Sequence, residues 1–175
     1  MKRWCWPGTA QAVPLWSCGA GGVGAFAVQL ATILGGHVTA TGRGADAGFV
    51  RSLGAETFIT SVAGRLEEEI SGVDVVIDTV GGAVLNASYR LMRTGGRLVT
   101  LSAPPLQERA KEYGVHAMFF VVTPDPAALA RLASLVDDGQ LRPIISQSYP
   151  LSAGRRAFES GAQARPPGKT LQIVR

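Results

Sequence analysis

SCGAGGVGAFAVQL, residues 17 to 30, decides the fold that the sequence predicts. Within it Gly19, Gly21 and Gly24 stand in the spacing G-x-G-x-x-G. The first glycine permits a tight turn from strand to helix, the second lets backbone N–H groups approach a pyrophosphate, and the third lets the helix pack closely on the strand. An anion placed there meets unpaired N–H groups and the positive end of the helix dipole. We call residues 19–24 the phosphate loop.

The residues after the phosphate loop support this interpretation. Apolar side chains recur there at helical spacing, at Val23, Phe26, Ala27, Leu30, Ile33 and Leu34. Two glycines, 35 and 36, then end the helix, and a second apolar run follows at 37–41. Strand, turn, helix and strand form one βαβ unit, which favours dinucleotide binding. The alternative is a structural glycine turn in another kind of α/β domain.

Composition restricts the class of protein. A chain of 175 residues with 46% hydrophobic and 17% charged residues matches one domain built on a parallel sheet that is covered on both faces. No apolar run reaches the ~18 to 20 residues that span a bilayer, and Pro7, Gly8 and Pro14 interrupt the N-terminal apolar stretch, so neither a membrane segment nor a signal peptide is expected. Cys5 and Cys18 fit neither a zinc spacing nor a disulfide framework, which favours a cytoplasmic location.

The charge pattern argues against nucleic acid as a partner. The formal net charge is +4, but the Lys and Arg residues are scattered, without a basic run. A domain that holds a polyanionic cofactor explains the charge at least as well. His37 and His116 have no Cys or carboxylate at ligand spacing, so no metal site is expected.

Strands and helices alternate along the chain. The predicted strands are 12–18, 37–41, 56–60, 73–78, 97–102, 116–122, 144–149 and 170–174, and the predicted helices are 45–53, 62–70, 83–92, 124–136 and 152–160. Residues 1–11 show no clear period, and a proline at 14 opposes the central strand predicted at 12–18, so residues 1–16 are assigned to an irregular N-terminus. That strand either starts at about Leu15 or is distorted.

This alternation predicts an α/β fold, a Rossmann-type doubly wound parallel sheet with helices on both faces, in a single domain over residues 1–175. Ligands of such sheets bind outside the carboxyl ends of the strands. The ends in question lie at residues 18–19, 41–43, 78–80 and 101–103. They are the expected wall of the binding site.

Five motifs occur along the chain: GAGGVGAFAVQLA (19–31), FVRSLGAE (49–56), VDVVIDTVGG (73–82), TGGRLV (94–99) and GQLRPII (139–145). Their order and spacing resemble the medium-chain dehydrogenase/reductase superfamily, within it the zinc-independent quinone oxidoreductase and enoyl reductase-like branch. The resemblance runs from about Cys18 to the C-terminus. It implies NADPH-dependent hydride transfer to a quinone or to an activated double bond such as that of an α,β-unsaturated carbonyl compound.

The resemblance also implies which residues bind the cofactor. Those at the pyrophosphate are Gly21, Gly22, Val23 and Gly24, together with Gly19 of the glycine motif; those at the adenosine ribose are Thr41 and Arg43. Those bordering the dinucleotide are Val80 and Ser102; those whose backbone holds the nicotinamide amide are Phe119, Phe120 and Val121. Lys169 takes the family's basic position before the last strand.

Two further expectations concern partners. The apolar strand 116–122 carries no charge that would blunt a sheet edge, and the resemblance implies a homodimer through it; the alternative is that a loop or helix of the same chain covers it. In the family, the segment corresponding to 143–175 packs on a substrate domain that is absent here. The chain is therefore expected to correspond to the cofactor-binding portion of a reductase.

Residues 38–43, VTATGR, predict a preference for NADPH over NADH. A site that prefers NAD offers an acid ~20 residues past the first glycine to bind the ribose 2′-hydroxyl. Here there is none, and Arg43 could bind a 2′-phosphate through charge-assisted hydrogen bonds. The alternative is that Arg43 is a solvated loop residue.

No catalytic residue is assigned. Asp78 ends a strand, where hydrogen bonding to the following glycine turn is favoured over a catalytic role. No Tyr precedes a Lys by four residues, and no Ser stands in G-x-S-x-G, which argues against a short-chain dehydrogenase and a hydrolase. The alternative function is a non-catalytic dinucleotide-binding module or a partner-dependent remnant.

Overall fold

The computed structural model describes residues 15–18, 21–60, 66–160 and 166–174. Its strands are β1 Leu15–Cys18, β2 Val38–Gly42, β3 Thr57–Thr60, β4 Val73–Asp78, β5 Met92–Thr100, β6 His116–Phe119, β7 Ile145–Pro150 and β8 Lys169–Ile173. Its helices are α1 Gly24–Ile33, α2 Ala47–Ser52, α3 Leu66–Glu69, α4 Gly82–Leu91, α5 Gln107–Glu112, α6 Pro126–Asp137 and α7 Gly154–Ser160. None of these helices is long and apolar enough to cross a membrane.

Six strands form the main sheet, in the order β3-β2-β1-β4-β5-β6, and every neighbouring pair is parallel. The chain runs outward from β1 to β3, then returns to β4 on the other side of β1. The strand order therefore reverses between β1 and β4, which is the point where ligands of doubly wound sheets bind. The predicted Rossmann-type fold is confirmed.

The main sheet buries both of its faces. Val76 of β4 lies in a core cluster with Tyr89, whereas Val75 packs against a second cluster that contains Val28 and Val50. Because consecutive side chains of a strand point to opposite faces, the two clusters lie on opposite sides of the sheet. Helix α4 contributes to one and helices α1 and α2 to the other, as expected for a sheet covered on both faces.

Strand β1 begins at Leu15, directly after Pro14. This agrees with the first of the two alternatives given for it, a start at about Leu15 rather than a distorted strand. Residues 12–14 lie outside the described residues, as do 62–65, the first residues of the predicted helix 62–70, of which Leu66–Glu69 is described. A proline just before a central strand leaves the hydrogen bonds of that strand intact.

Strand β5 begins earlier than predicted. The pairing of β4 with β5 shifts between Val73, opposite Met92, and Val75, opposite Arg97. One residue of β4, Asp74, therefore faces residues 93–96, so the Thr94-Gly95-Gly96 turn predicted before the strand is an irregularity within it.

Strand β6 ends earlier than predicted. It stops at Phe119, and residues 120–122 continue beyond the strand. It is the last strand in the order of the main sheet. The side chains of Met118, Val121 and Val122 are exposed.

The C-terminal segment forms a separate small sheet, in which β7 pairs in parallel with β8 and α7 connects them. The predicted strands 144–149 and 170–174 and the predicted helix 152–160 agree with these elements to within two residues. Ile144, just before β7, packs against the core cluster that contains residues of α1 and α2. The small sheet is thus anchored beside the helix that follows the phosphate loop.

Candidate functional site

The phosphate loop connects the end of β1 to the start of α1. Gly19 lies outside the described residues; from Gly21 onward the loop turns directly into the helix, since Ala25 N–H donates to Gly21 O at 2.9 Å and Ala27 N–H donates to Val23 O at 3.0 Å. Among the described residues no side chain caps α1, and its first turn holds no acid. The N-terminal N–H groups are therefore not neutralised by a carboxylate from the helix itself.

Lys169 lies against the phosphate loop. A Cβ atom built on Gly22 would be 2.9 Å from Cε and 3.0 Å from Cδ of Lys169. The aliphatic chain of the lysine therefore crosses directly over the glycine, with Nζ one bond beyond Cε. The small sheet thus brings a positive charge to a loop whose backbone suits an anion.

The end of β2 lies beside the phosphate loop, because Thr41 pairs with Cys18, the last residue of β1. Thr41 is fully buried, whereas Arg43, the next residue but one, is exposed. Of the two residues predicted at the adenosine ribose, only Arg43 presents its side chain to solvent.

Asp46 orients the guanidinium group of Arg43. Nε of Arg43 donates to Oδ2 of Asp46 at 2.8 Å and Nη2 donates to Oδ1 at 3.1 Å. Asp46 is buried, and its hydrogen bonds raise the pKa of Arg43. Asp46 is not among the predicted site residues, although an acid three residues after an arginine was an available signal.

Asp78 connects the ends of β4 and β5. Its Oδ1 accepts from the N–H groups of Val80 and Gly81 at 3.1 and 2.8 Å, and its Oδ2 accepts from the hydroxyls of Thr100 and Ser102 at 2.7 and 2.9 Å. The carboxylate is fully buried, and these four hydrogen bonds join it to residues at the ends of β4 and β5. The predicted hydrogen bonding of Asp78 to the glycine turn is confirmed.

The turn after Asp78 also needs its glycine. Gly81 has φ +80°, and a Cβ atom there would meet Oγ of Ser102 at 2.5 Å. Any larger residue would be strained and would displace Ser102. The positions of Val80 and Ser102, both predicted to border the dinucleotide, are therefore coupled through Asp78.

The stretch 119–121 runs along the next strand end. Thr100 pairs with Phe119, and Phe120 N–H donates to Thr100 O at 2.9 Å. Phe119, Phe120 and Val121 are all exposed. They extend the wall beyond Ser102.

The main sheet brings most of the predicted site residues to one edge. Parallel strands end on the same side, so the phosphate loop, Arg43, Val80, Ser102 and the stretch 119–121 follow β1, β2, β4, β5 and β6 in turn. Lys169 reaches the same edge from the small sheet. Within the described ranges, no group of three or more histidine, cysteine, aspartate or glutamate residues could hold a metal ion.

These residues fit a dinucleotide phosphate group. A Cβ atom at Gly22 would displace the lysine side chain from its present position, and the donors near this glycine are backbone N–H groups and the ammonium group of Lys169. Such a donor set suits a pyrophosphate rather than a cation or an apolar ligand.

Comparison with known proteins places the chain in a family. The model of the zinc-binding dehydrogenase family matches residues 53–171. The Spectinabilin polyketide synthase system protein NorB of Streptomyces orinoci is 36% identical over 166 residues, 87% of this chain and 8% of NorB. The mitochondrial NAD(P)H oxidoreductase RTN4IP1 of Danio rerio is 28% identical over 183 residues, 89% of this chain and 47% of that protein.

Solved structures agree with the fold. The quinone oxidoreductase from Coxiella burnetii superposes with a TM-score of 0.83 and 31% identity, over 94% of this chain and 54% of that one. The chain spans about half the length of these two oxidoreductases. The family model covers more than half of the chain, and the Rossmann-type sheet superposes on that of a solved quinone oxidoreductase. The chain therefore belongs to the zinc-binding dehydrogenase family, within the medium-chain dehydrogenase/reductase superfamily.

Proposed function

We propose that this chain is an NADPH-dependent oxidoreductase of the quinone or α,β-unsaturated carbonyl reductase type, or the cofactor-binding portion of one. The observation that carries the proposal is the approach of Lys169 to Gly22 at the reversal of the strand order. It gives the phosphate loop a charge partner at the place where doubly wound sheets bind dinucleotides. The names of the relatives, an NAD(P)H oxidoreductase and a quinone oxidoreductase, support the reaction class.

In this proposal the residues bind and orient. The phosphate loop and Lys169 hold the pyrophosphate, Arg43 holds the 2′-phosphate, and Val80 and Ser102 border the dinucleotide. The backbone at 119–121 holds the nicotinamide amide and so fixes which ring face meets the substrate. The cofactor supplies the hydride.

The preference for NADPH rests on Arg43. Asp46 fixes the plane of its guanidinium group beside the end of β2, and β2 itself carries no acid. Among the described residues, the acid nearest in sequence is Asp46 itself, which is buried in the ion pair. This arrangement favours a phosphate over a bare 2′-hydroxyl.

A non-catalytic dinucleotide-binding module is the second candidate. The specific observation in its favour is that the described site holds residues that would bind and orient a cofactor, whereas the stretch 119–121 is exposed to solvent. Titration of the chain with NADPH and NADH, followed by an assay of NADPH oxidation with simple quinones and enones, separates the two functions. The first proposal requires binding and measurable oxidation, whereas the second requires binding alone. Absence of binding contradicts both.

We also propose a homodimer formed through residues 116–122. The support is the position of β6 as the last strand of the main sheet, with Met118 exposed on it. Zinc independence and a cytoplasmic location stay predictions; the RTN4IP1 relative is mitochondrial by name.

A further inference from the structure

Gln29 connects the helix that follows the phosphate loop to the small sheet that carries Lys169. It lies on α1 and is 5% exposed. Its Nε2 donates to Arg142 O at 3.1 Å, and Arg142 N–H donates to its Oε1 at 2.9 Å. This two-way pair joins residues 113 positions apart in the chain.

The residues that follow Arg142 are hydrogen-bonded to Lys169. Lys169 N–H donates to Ile144 O at 2.8 Å, and Ser146 Oγ donates to Lys169 O at 3.1 Å. Gly168 fits tightly against the same segment, because a Cβ atom there would meet Ile144 O at 2.7 Å. The main chain of Lys169 is therefore fixed relative to residues 142–146.

The segment has other anchors, one of them polar: Nη2 of Arg142 donates to Ser52 O at 3.4 Å. The rest are apolar. Leu141 is buried, and Ile144 packs against the core cluster that includes Val28. Apolar contacts hold a segment down without fixing its register along a helix, because they are not directional. The amide of Gln29 is directional, and it accepts from and donates to one main-chain position.

Helix α1 sets the distance between the phosphate loop and the contact of Gln29 with Arg142. Gln29 follows Gly24, the first residue of α1, by five residues, so it lies about 7.5 Å along the axis from the start of the helix. The same helix thus holds the loop at its start and the small sheet at its second turn. Nε2 of Gln29 also donates to Ala25 O at 3.0 Å, which restricts the side-chain rotamer.

We infer that Gln29 is a positioning residue for cofactor binding, which acts through Arg142 to seat Lys169 over the phosphate loop. The inference rests on the proposed function. It assigns to the amide of Gln29 part of the cofactor affinity that Lys169 supplies, although Gln29 lies more than one helical turn after the loop.

A double-mutant cycle tests it. Dissociation constants of NADPH are measured by fluorescence titration for the wild type, Gln29→Met, Lys169→Met and the double variant, at low and high salt. Each single variant is expected to weaken binding about three- to tenfold and to reduce its salt dependence, since each removes the lysine from the phosphate. The double variant should bind no more weakly than Lys169→Met alone. Gln140→Met, an exposed glutamine in the loop before Arg142, is the matched control and should bind like the wild type.

A second measurement reports the position of Lys169 and does not depend on enzymatic activity. The chain has three lysines, Lys2, Lys111 and Lys169, so acetylation by an amine-reactive ester can be followed at Lys169 with exposed Lys111 as internal reference. NADPH should slow acetylation of Lys169 in the wild type and in Gln140→Met, and should do so much less in Gln29→Met. If Gln29→Met does not fold, Gln29→Asn, which shortens the side chain by one methylene, is measured in the same way.

The outcomes are separable. Additive losses in the double variant, or unchanged protection of Lys169 in folded Gln29→Met, would overturn the inference and leave Gln29 a stabilising residue only. Wild-type chain that binds NADPH without protecting Lys169 would overturn it as well. Wild-type chain that binds neither NADPH nor NADH would instead overturn the proposed function.

Discussion

Ser102 donates its hydroxyl hydrogen to the carboxylate of Asp78 at 2.9 Å, from the end of one strand to the end of its neighbour. That carboxylate also accepts hydrogen bonds from the N–H groups of Val80 and Gly81. Because it is fully buried, it shapes the wall of the site from within the protein. We predict that Asp78→Asn lowers the free energy of unfolding by about 1–3 kcal/mol, because buried hydrogen bonds to a charge are lost. Urea denaturation measures this.

The control for Asp78 is Asp137→Asn, at the exposed end of α6, which should leave stability unchanged. A catalytic Asp78 would give the opposite pattern. In that case Asp78→Asn would keep the wild-type unfolding free energy while the oxidation of NADPH by a quinone stopped.

Gly22→Ala should weaken cofactor binding without unfolding the chain. The added methyl group would press on Cε and Cδ of Lys169, which are the flexible part of that side chain and can move aside. We expect the NADPH dissociation constant to rise by about tenfold or more, with a change of less than about 0.5 kcal/mol in unfolding free energy. Titration and urea denaturation of the same sample measure both.

Gly48→Ala is the matched control for Gly22→Ala, since a Cβ atom on Gly48 in α2 meets nothing within 4 Å. It should leave the NADPH dissociation constant unchanged. Equal cofactor affinity in Gly22→Ala and the wild type would show that the phosphate does not approach this glycine.

Much of the fold could be predicted from the sequence, because the strands of the main sheet carry local patterns. The apolar run Val73–Asp78 is a strand over its full predicted length. Strand ends that depend on pairing could not be predicted in this way. MFFVV is apolar throughout, yet the strand stops at Phe119, and the predicted turn at 94–96 is an irregularity opposite Asp74.

The residues of the site likewise divide into those that local sequence signals located and those that were missed. Glycine spacing and strand ends are local signals, so the phosphate loop and Asp78 could be located from them. Gln29 was missed because it acts through a tertiary contact, which joins it to Arg142 across 113 residues. Asp46 was missed although its partner Arg43 lies only three residues away. The cofactor roles assigned to individual residues stay predictions.

Arg43→Ala should remove the preference for NADPH. Loss of charge-assisted hydrogen bonds to a 2′-phosphate should weaken NADPH binding about ten- to hundredfold while NADH binding stays the same. Isothermal titration with each cofactor measures the two constants. Arg51→Ala, an exposed arginine in the last turn of α2, is the control. Equal losses for NADPH and NADH would place Arg43 away from the 2′-phosphate.

Met118→Lys should dissociate the proposed homodimer. Met118 is 53% exposed on β6, which pairs with β5 alone among the described strands. A lysine on an edge strand opposes pairing with a second copy. Light scattering should give a dimer for the wild type and for Leu34→Lys, an exposed control after α1, and a monomer for Met118→Lys. A monomeric wild type would contradict the proposal.

The 175-residue chain by itself should bind NADPH but oxidise it slowly. The phosphate loop, Arg43 and the stretch 119–121 lie within residues 19–122, and Lys169 joins them from the small sheet, so this chain carries the binding half of the site. Hydride transfer needs donor and acceptor carbons held ~3 to 3.5 Å apart in a site that excludes water, and such alignment supplies ~7 to 11 kcal/mol of a barrier. The stretch 119–121, proposed to hold the nicotinamide amide, is exposed to solvent.

The measurement is steady-state NADPH oxidation over a panel of quinones and enones, beside a fluorescence titration of NADPH. Tight binding with turnover far below ~1 s⁻¹ is the expected result, since solvent at an open nicotinamide site leaves the substrate unaligned. The small sheet formed by β7 and β8 exposes Leu171 and Ile173. Partial closure of the site by this sheet is why slow oxidation is expected rather than none. Turnover at or above ~1 s⁻¹ would show that this chain builds a complete active site, because such a rate is ordinary for an enzyme.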